Sequence, residues 1–83
     1  MNRRRLQELA RSEHVSDDAY SLEGGFPAER YVLSVADGGW AVYYSERGER
    51  SGLETFETED EACAHLFELL LRDPTTRSSH PEG

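Results

Sequence analysis

The chain has 83 residues, and its 17 acidic side chains outnumber its 9 arginines, so its formal net charge is −8. This length is enough for one domain with a small core. The acidic balance weighs against partners such as nucleic acid and anionic membrane surfaces, since proteins that bind them rely on Lys and Arg. No stretch approaches the roughly 20 consecutive apolar residues of a membrane span, so we expect neither a transmembrane segment nor a signal peptide.

The single cysteine, Cys63, has no partner for an internal disulfide. A chain that does not depend on disulfides suits a reducing compartment. We therefore expect a cytoplasmic protein.

The first predicted element is a short helix from Asn2 to about His14. Leu6, Leu9 and Ala10 recur at helical spacing, and Asn2 is a suitable N-cap. Three arginines, at positions 3–5, occupy the first turn, where the helix dipole disfavours cations. We therefore expect the start of this helix to fray.

A run of strands follows the helix. Tyr20 and Leu22 alternate in a short strand, which Gly24–Pro27 ends. The segments Arg30–Ala36 and Trp40–Ser45 read as a hairpin. A two-residue turn at positions 37–38 would pair Val35 with Trp40, Leu33 with Val42 and Tyr31 with Tyr44. A turn at positions 38–39 shifts the partners but keeps the same faces together.

These pairings give the predicted sheet one apolar face and one mixed face. The apolar face carries Tyr31, Leu33, Val35, Trp40, Val42 and Tyr44, and the mixed face carries Val32, Ser34, Ala36, Ala41, Tyr43 and Ser45. Helices on one side of an antiparallel sheet produce this asymmetry. We expect both helices to cover the Trp40 face and to leave Tyr43 on the open face.

The charged connection Glu46–Gly52 is predicted as a loop, and a last strand is predicted from Leu53 to Glu57. Leu53 and Phe56 have opposite parity. One of them must therefore leave the apolar face, or a bulge must reset the alternation.

The C-terminal helix has the clearest pattern. Thr58 and Glu61 form a capping box, and an apolar stripe follows it, consisting of Ala62, Cys63, Leu66, Phe67, Leu69 and Leu70. Asp73-Pro74 ends the helix. The predicted fold class is thus a two-layer α+β domain over residues 1–74, with an antiparallel meander of three or four strands and both helices on one face. Residues 75–83 are predicted to be a disordered tail.

No pattern in the sequence indicates a catalytic, cofactor-binding or metal site. Cys63 and His65 point about 200° apart on a helix, and His14 and His80 lie elsewhere, so metal ligation is disfavoured. The glycine pairs at 24–25 and 38–39 connect strands and do not precede a helix, as a phosphate-binding loop would. We expect no cofactor, and we expect that the chain is not an enzyme.

Charge is distributed unevenly along the chain. Positions 46–61 hold seven acids and two arginines, a local charge of −5, whereas the segment up to Arg11 holds four arginines and Glu8, a local charge of +3. The acidic stretch is either a solvated surface or a docking surface for a basic protein. The residues predicted to bind a partner are Tyr43, Glu46, Arg47, Glu49, Arg50, Glu54 and Glu57.

Three stretches resemble a group of small uncharacterised actinobacterial proteins. They are Gly39–Gly48 (GWAVYYSERG), Phe56–Cys63 (FETEDEAC) and Asp73–Arg77 (DPTTR), and the similarity covers most of residues 20–77. These proteins are similar to immunity proteins that neutralise a co-encoded toxin, with an NAD-degrading glycohydrolase as one candidate toxin. The resemblance implies an inhibitor that binds and blocks a toxin enzyme, and it assigns no individual residue a role.

A second interpretation is a self-associating or regulatory module without a toxin partner. An edge strand, Leu53–Glu57 or Tyr20–Leu22, would then pair across a two-fold axis. Monomer and homodimer both remain open from the sequence.

Overall fold

The computed structural model describes residues 1–77. Its two helices, α1 (Arg3–Ser12) and α2 (Glu59–Arg72), flank four strands, β1 (Tyr20–Ser21), β2 (Arg30–Ala36), β3 (Gly39–Glu46) and β4 (Glu49–Phe56). Short 3₁₀ turns, Asp17–Ala19 and Pro74–Thr76, precede β1 and follow α2. The fold is α+β, as predicted.

The sheet has the order β1-β2-β3-β4, and β2, β3 and β4 form an antiparallel meander. β1 departs from the predicted meander because it pairs parallel with β2, through Tyr20 with Tyr31 and Ser21 with Val32. A parallel neighbour needs a crossover. The eight residues between β1 and β2 are long enough to carry the chain across the sheet.

The β2–β3 register is the one predicted for a turn at positions 37–38: Val35 pairs with Trp40, Leu33 with Val42 and Tyr31 with Tyr44. Gly38 has φ +75°, a conformation that glycine adopts without a side-chain clash. The turn at Asp37-Gly38, together with the apolar alternation of the two strands, therefore sets the register of the hairpin.

Both helices pack on the face of Leu33 and Val42, as predicted. The main core combines these two side chains with Leu6 and Ala10 of α1 and with the α2 stripe; its fully buried α2 members are Ala62, Cys63, Leu66 and Leu70. Val35 also belongs to this face by parity, yet it is 69% exposed. It lies near the β2–β3 turn, at the end of the hairpin.

The start of α1 is held in place, contrary to the expected fraying. Asn2 caps the helix by accepting a hydrogen bond from the Arg5 amide at 2.8 Å. The Met1 ammonium pairs with Asp60, and both the Arg3 amide and the Arg3 guanidinium donate to Glu59, at 3.0 and 3.3 Å. The acidic first turn of α2 thus offsets the unfavourable placement of cations at the start of α1.

The capping box of α2 is confirmed, with one difference. The Glu61 amide donates to the Thr58 hydroxyl at 3.1 Å, and the Glu61 carboxylate accepts from that hydroxyl rather than from the Thr58 amide. The helix ends at Arg72 with Asp73 as its C-cap, where the sequence Asp73-Pro74 predicted its end.

The predicted disordered tail is wrong for residues 75–77. The buried Thr76 hydroxyl donates to the Leu70 carbonyl at 2.7 Å, and Arg77 forms an antiparallel bridge with Val15. Thr76 is polar, so hydropathy gave no indication of its burial; hydrogen bonds to the end of α2 compensate the desolvation of its hydroxyl. The rest of that prediction, residues 78–83, lies outside the described residues.

Within residues 1–77, no helix is both long enough and apolar enough to cross a membrane.

Candidate functional site

The hairpin of β3 and β4 carries most of the residues predicted to bind a partner. Its turn consists of Arg47 and Gly48, with φ +54° and +79°, and it sets Glu46 directly opposite Glu49. Positive φ at both central residues is the geometry of a type I′ hairpin turn, which suits the twist of the flanking strands. The predicted loop Glu46–Gly52 is therefore wrong, since only two of its residues connect the strands. Arg50 lies in β4, opposite Ser45, and not in a loop.

A bulge interrupts β4 and accounts for the parity conflict noted in the sequence. Val42 pairs with Glu54 and Tyr44 with Ser51, so two residues of β4, Gly52 and Leu53, stand opposite the single residue Tyr43. Gly52 has φ +63°, which favours glycine. The bulge allows Phe56 to pack against the main core while Leu53 remains 46% exposed.

The register places three of the predicted acids, Glu46, Glu49 and Glu54, on one face of the sheet. Glu46 follows Val42 and Tyr44 at alternate positions of β3, and Glu49 and Glu54 pair with residues of that same set. Because Val42 packs under the helices, all three carboxylates lie on the helix side of the sheet. Glu57 follows β4 directly and is also exposed. We call Glu46, Glu49, Glu54 and Glu57 the acidic rim.

The seven acids between positions 46 and 61 fall into two groups. The three at the start of α2 act within the fold: Glu59 and Asp60 pair with the beginning of α1, and Glu61 accepts from the cap residue. Within residues 1–77, Glu54 is the one member of the acidic rim whose carboxylate lies within 4 Å of a basic side-chain nitrogen, the His65 Nε2 at 3.9 Å. Glu46, Glu49 and Glu57 form no ion pair with any residue in the range 1–77. The rim is therefore the part of the acidic stretch that internal contacts leave free.

Tyr43 does not lie on an open surface, which corrects its predicted role as an exposed anchor. Its side chain is 2% exposed, and its hydroxyl donates to the Gly25 carbonyl at 2.8 Å. The β1–β2 connection covers this part of the sheet, so Val32, Ala41 and Tyr43 form a second, small core. The glycine-rich segment predicts only the end of a strand, and its path across the sheet depends on the parallel pairing of β1, so the burial of Tyr43 does not follow from the sequence pattern.

The two arginines predicted to bind a partner have different environments. The Arg50 guanidinium carbon lies 5.3 Å from the ring centroids of both Phe26 and Tyr43. This cation–π contact holds Arg50 against the face of the sheet that turns away from the helices. Arg47 is exposed in the turn next to Glu46 and Glu49. Arg47 makes no such stacking contact with any aromatic ring in residues 1–77.

Two clefts lie away from the acidic rim. The larger, about 390 Å³, runs between the start of α1 and β1 and is lined by charged side chains of both signs, including Arg3, Arg4, Asp17 and Glu23. The smaller, about 260 Å³, lies beside Tyr31, Tyr44 and Asp73. Small-molecule sites are commonly enclosed and mostly apolar, unlike these mixed, polar clefts.

The polar groups of the smaller cleft are engaged with one another. The Tyr31 hydroxyl donates to Asp73 at 2.9 Å, and the Thr75 hydroxyl and amide donate to the same carboxylate at 2.7 and 3.0 Å. The hydrogen bonds from Thr75, and then that from Tyr31, lower the pKa of Asp73. Burial, together with the neighbouring Asp73 carboxylate, raises the pKa of Tyr31 to about 12. The Asp73 carboxylate thus joins the end of α2 to β2. Because three donors stabilise its ionised form, it is a poor general base. No sequence pattern indicates this cluster, because Tyr31 and Asp73 are 42 residues apart.

Cys63 and Ser45, two nucleophilic side chains that α2 and the sheet contribute to the interior, are buried. Cys63 is fully buried, and desolvation raises the pKa of its thiol to about 11. Ser45 is also fully buried. Among residues 1–77, no three side chains of His, Cys, Asp or Glu converge in a way that could hold a metal ion.

No protein-family model, no curated protein and no solved structure matches the chain.

Proposed function

We propose that the chain is an acidic protein-binding domain, and specifically an immunity-type inhibitor that binds and blocks a basic toxin enzyme. The observation that carries the proposal is the acidic rim, whose Glu46, Glu49 and Glu57 are exposed and without an ion pair in residues 1–77. A surface of one charge sign accelerates association with an oppositely charged partner and excludes partners of like charge. The class of partner comes from the resemblance of most of residues 20–77 to small uncharacterised actinobacterial proteins that are themselves similar to immunity proteins.

Blocking an enzyme does not require catalytic chemistry in the inhibitor. It requires a surface that is rigid before binding, since ordering the surface on binding would cost affinity. The rim meets this requirement because its acids lie on or next to two paired strands joined by a two-residue turn. Arg47, between Glu46 and Glu49, would add a guanidinium able to bind a carboxylate of the partner.

The proposal is tested by reversing charge in the rim. Tagged wild-type chain is used to capture partners from an extract of its own cells, in parallel with the double variant Glu46→Lys/Glu49→Lys. We expect the wild type to retain one stoichiometric basic partner at low salt and less of it at moderate salt, because exposed charges are screened. We expect the double variant to retain at least tenfold less, measured as a dissociation constant once the partner is purified.

The matched control is Glu13→Lys/Glu23→Lys, which changes two exposed glutamates away from β4. Both double variants raise the net charge from −8 to −4, since each substitution adds two charges. If the control lost the partner as fully as the rim variant did, net charge alone would explain binding. If neither variant lost it, the rim would be ordinary surface. Addition of the chain should also abolish the enzymatic activity of the captured partner.

The length of the β4 edge favours self-association as a second candidate function. Eight residues form this edge, and all but Phe56 are exposed. An edge strand of this kind is a template for pairing with another copy. Sedimentation equilibrium decides between the two candidates, because a stable dimer favours self-association and a monomer favours the inhibitor.

A further inference from the structure

The two edges of the sheet differ strongly. β1 contributes only two residues to one edge, whereas β4 presents eight at the other. Among the described residues, no strand or helix is hydrogen-bonded to the outer side of β4, because β4 is last in the strand order. An exposed edge leaves backbone N–H and C=O groups that can pair with an added strand.

The register determines which backbone groups of β4 point outward. The two-residue turn makes Glu46 and Glu49 a hydrogen-bonded pair, so Arg50, the next residue, directs its N–H and C=O away from β3. At the other end of the strand, the Phe56 carbonyl oxygen lies so close to Gly39 that a Cβ there would be 2.4 Å from it. The backbone N–H and C=O of Phe56 are therefore directed toward β3. Because these groups alternate in direction along a strand, the backbone N–H and C=O of Thr55, like those of Arg50, are directed away from β3.

The surroundings of this edge determine the chemistry of a strand that would pair with it. Glu49 and Glu54 line its helix side, and Glu46 extends the same row. On the bulge, Leu53 offers an apolar side chain that is 46% exposed. Because side chains alternate between the faces of a strand, an added strand would place basic residues on the helix side and apolar residues on the other.

A second copy of this chain is a poor occupant. Two copies paired antiparallel through β4 would form one continuous sheet, with their helix sides on the same face. Their acidic rims would then approach each other, and like charges facing across strands destabilise pairing. The complex would also carry twice the net charge of −8.

We infer that the chain recognises its partner by β-strand addition: an extended segment with alternating basic and apolar residues pairs with the outer edge of β4, where Arg50 and Thr55 supply backbone hydrogen bonds. The inference rests on the proposed function and specifies its binding mode. Backbone pairing gives affinity, and the acidic rim selects a basic segment.

The test compares two substitutions at one position. Thr55→Pro removes the outward N–H, and proline is tolerated at edge positions whose N–H faces solvent. Thr55→Ala removes the same side chain but keeps the N–H. The probe is an acetylated and amidated octapeptide in which lysine alternates with valine, and its dissociation constant is measured by fluorescence anisotropy at low salt. We expect Thr55→Pro to bind it about tenfold more weakly than Thr55→Ala does, the effect of losing a backbone hydrogen bond and obstructing the added strand.

A measurement on the wild type covers the case in which Thr55→Pro does not fold. Amide hydrogen exchange is followed by NMR with and without the peptide. We expect exchange at Arg50 and Thr55 to slow on binding, while the exposed turn residue Gly38 is unchanged. Unaltered exchange at both edge amides with the peptide bound would overturn the inference.

The outcomes separate this inference from the proposed function. If Glu46→Lys/Glu49→Lys loses the cellular partner but Thr55→Pro binds peptide as well as Thr55→Ala, the rim acts through side chains alone, and only strand addition is wrong. Failure of the wild type to bind the peptide also overturns strand addition, while partner capture still decides the proposed function. A wild-type dimer that Thr55→Pro converts to a monomer would assign the edge to a second copy and overturn the inference.

Discussion

At the scale of single residues, the acidic side chains between positions 46 and 61 differ in whether they form ion pairs within the fold. Glu59 and Asp60 neutralise the start of α1, whereas Glu46, Glu49 and Glu57 have no such use within residues 1–77. The sequence shows all of them as one acidic run. Only the positions of the cations in space distinguish the acids that stabilise the fold from those available to a partner.

Asp73 provides a residue-scale prediction about pH. Its pKa is lowered in the folded state, mainly by the hydrogen bonds from Thr75, so the folded state favours the ionised carboxylate. Its contribution to stability is therefore complete above the unfolded pKa of about 3.9 and is lost as pH falls through the lower folded value. We expect Asp73→Asn to be less stable than the wild type near neutral pH, and the difference to shrink below about pH 4.

Urea unfolding at a series of pH values measures this difference. Asp37→Asn, in the exposed β2–β3 turn, is the charge-matched control and should follow the wild type more closely. Free energies of unfolding of Asp73→Asn and the wild type that differ by a constant amount from pH 6 to about pH 2.5 would show that the stabilisation by the Asp73 hydrogen bonds does not depend on the charge of Asp73.

At the scale of secondary-structure elements, the pairing of β3 with β4 depends on a close backbone approach. A Cβ at Gly39 would lie 2.4 Å from the Phe56 carbonyl oxygen. That atom belongs to the backbone of the neighbouring strand, so relief of the contact would require the strands to separate. Gly39 is thus required for steric reasons, although its φ is not in the left-handed region.

We therefore expect Gly39→Ala to destabilise the chain more than Gly48→Ala. At Gly48 nothing lies within 4 Å of an added Cβ, and only the positive φ of +79° is unfavourable, at a cost of about 1 kcal/mol. At Gly39 the loss should exceed that by about 1 kcal/mol or more, since it combines overlap with disrupted pairing. Free energies of unfolding in urea compare the two variants, and an equal or larger loss for Gly48→Ala would contradict this account of the hairpin.

At the scale of the whole molecule, each end of the described chain is bound to a segment that is remote in sequence. The start of α1 is bound to the start of α2, and Arg77 bridges to Val15. Arg3 has a central place in this arrangement because its guanidinium contacts Glu59 and also lies 5.3 Å from the centroid of the Trp40 ring.

We expect Arg3→Gln to lower the stability of the whole domain more than Arg4→Gln does. Arg4 lies in the same helical turn and forms no ion pair with residues 1–77, so the two variants match in charge and helix propensity. The difference should be about 0.5–1 kcal/mol at low salt, as for a partly exposed ion pair, and smaller at high salt. Thermal unfolding at two salt concentrations measures it. Equal stabilities at low salt would show that the contacts of Arg3 contribute nothing measurable.

Elements that depend on local chemistry were predictable from the sequence. The Asn2 and Thr58 caps and the end of α2 before Pro74 were predicted, since each depends on a few neighbouring residues. For the β2–β3 hairpin the sequence predicted the two faces and left two registers open, of which the structure has the one with a turn at positions 37–38. The alternation of apolar and mixed residues in β2 and β3 also predicted the face that the helices cover.

Features that join distant parts of the chain depend on tertiary contacts and could not be predicted from local patterns. The parallel pairing of β1, the burial of Tyr43 beneath Gly25, and the Tyr31–Asp73 contact each bring together residues 11 to 42 positions apart. Hydrophobic periodicity and secondary-structure propensity describe a residue relative to its neighbours in sequence. They do not specify which remote segment will cover that residue. For the same reason the charge of the acidic stretch was evident from the sequence, while the separation of the free rim from the paired acids at the start of α2 required the fold.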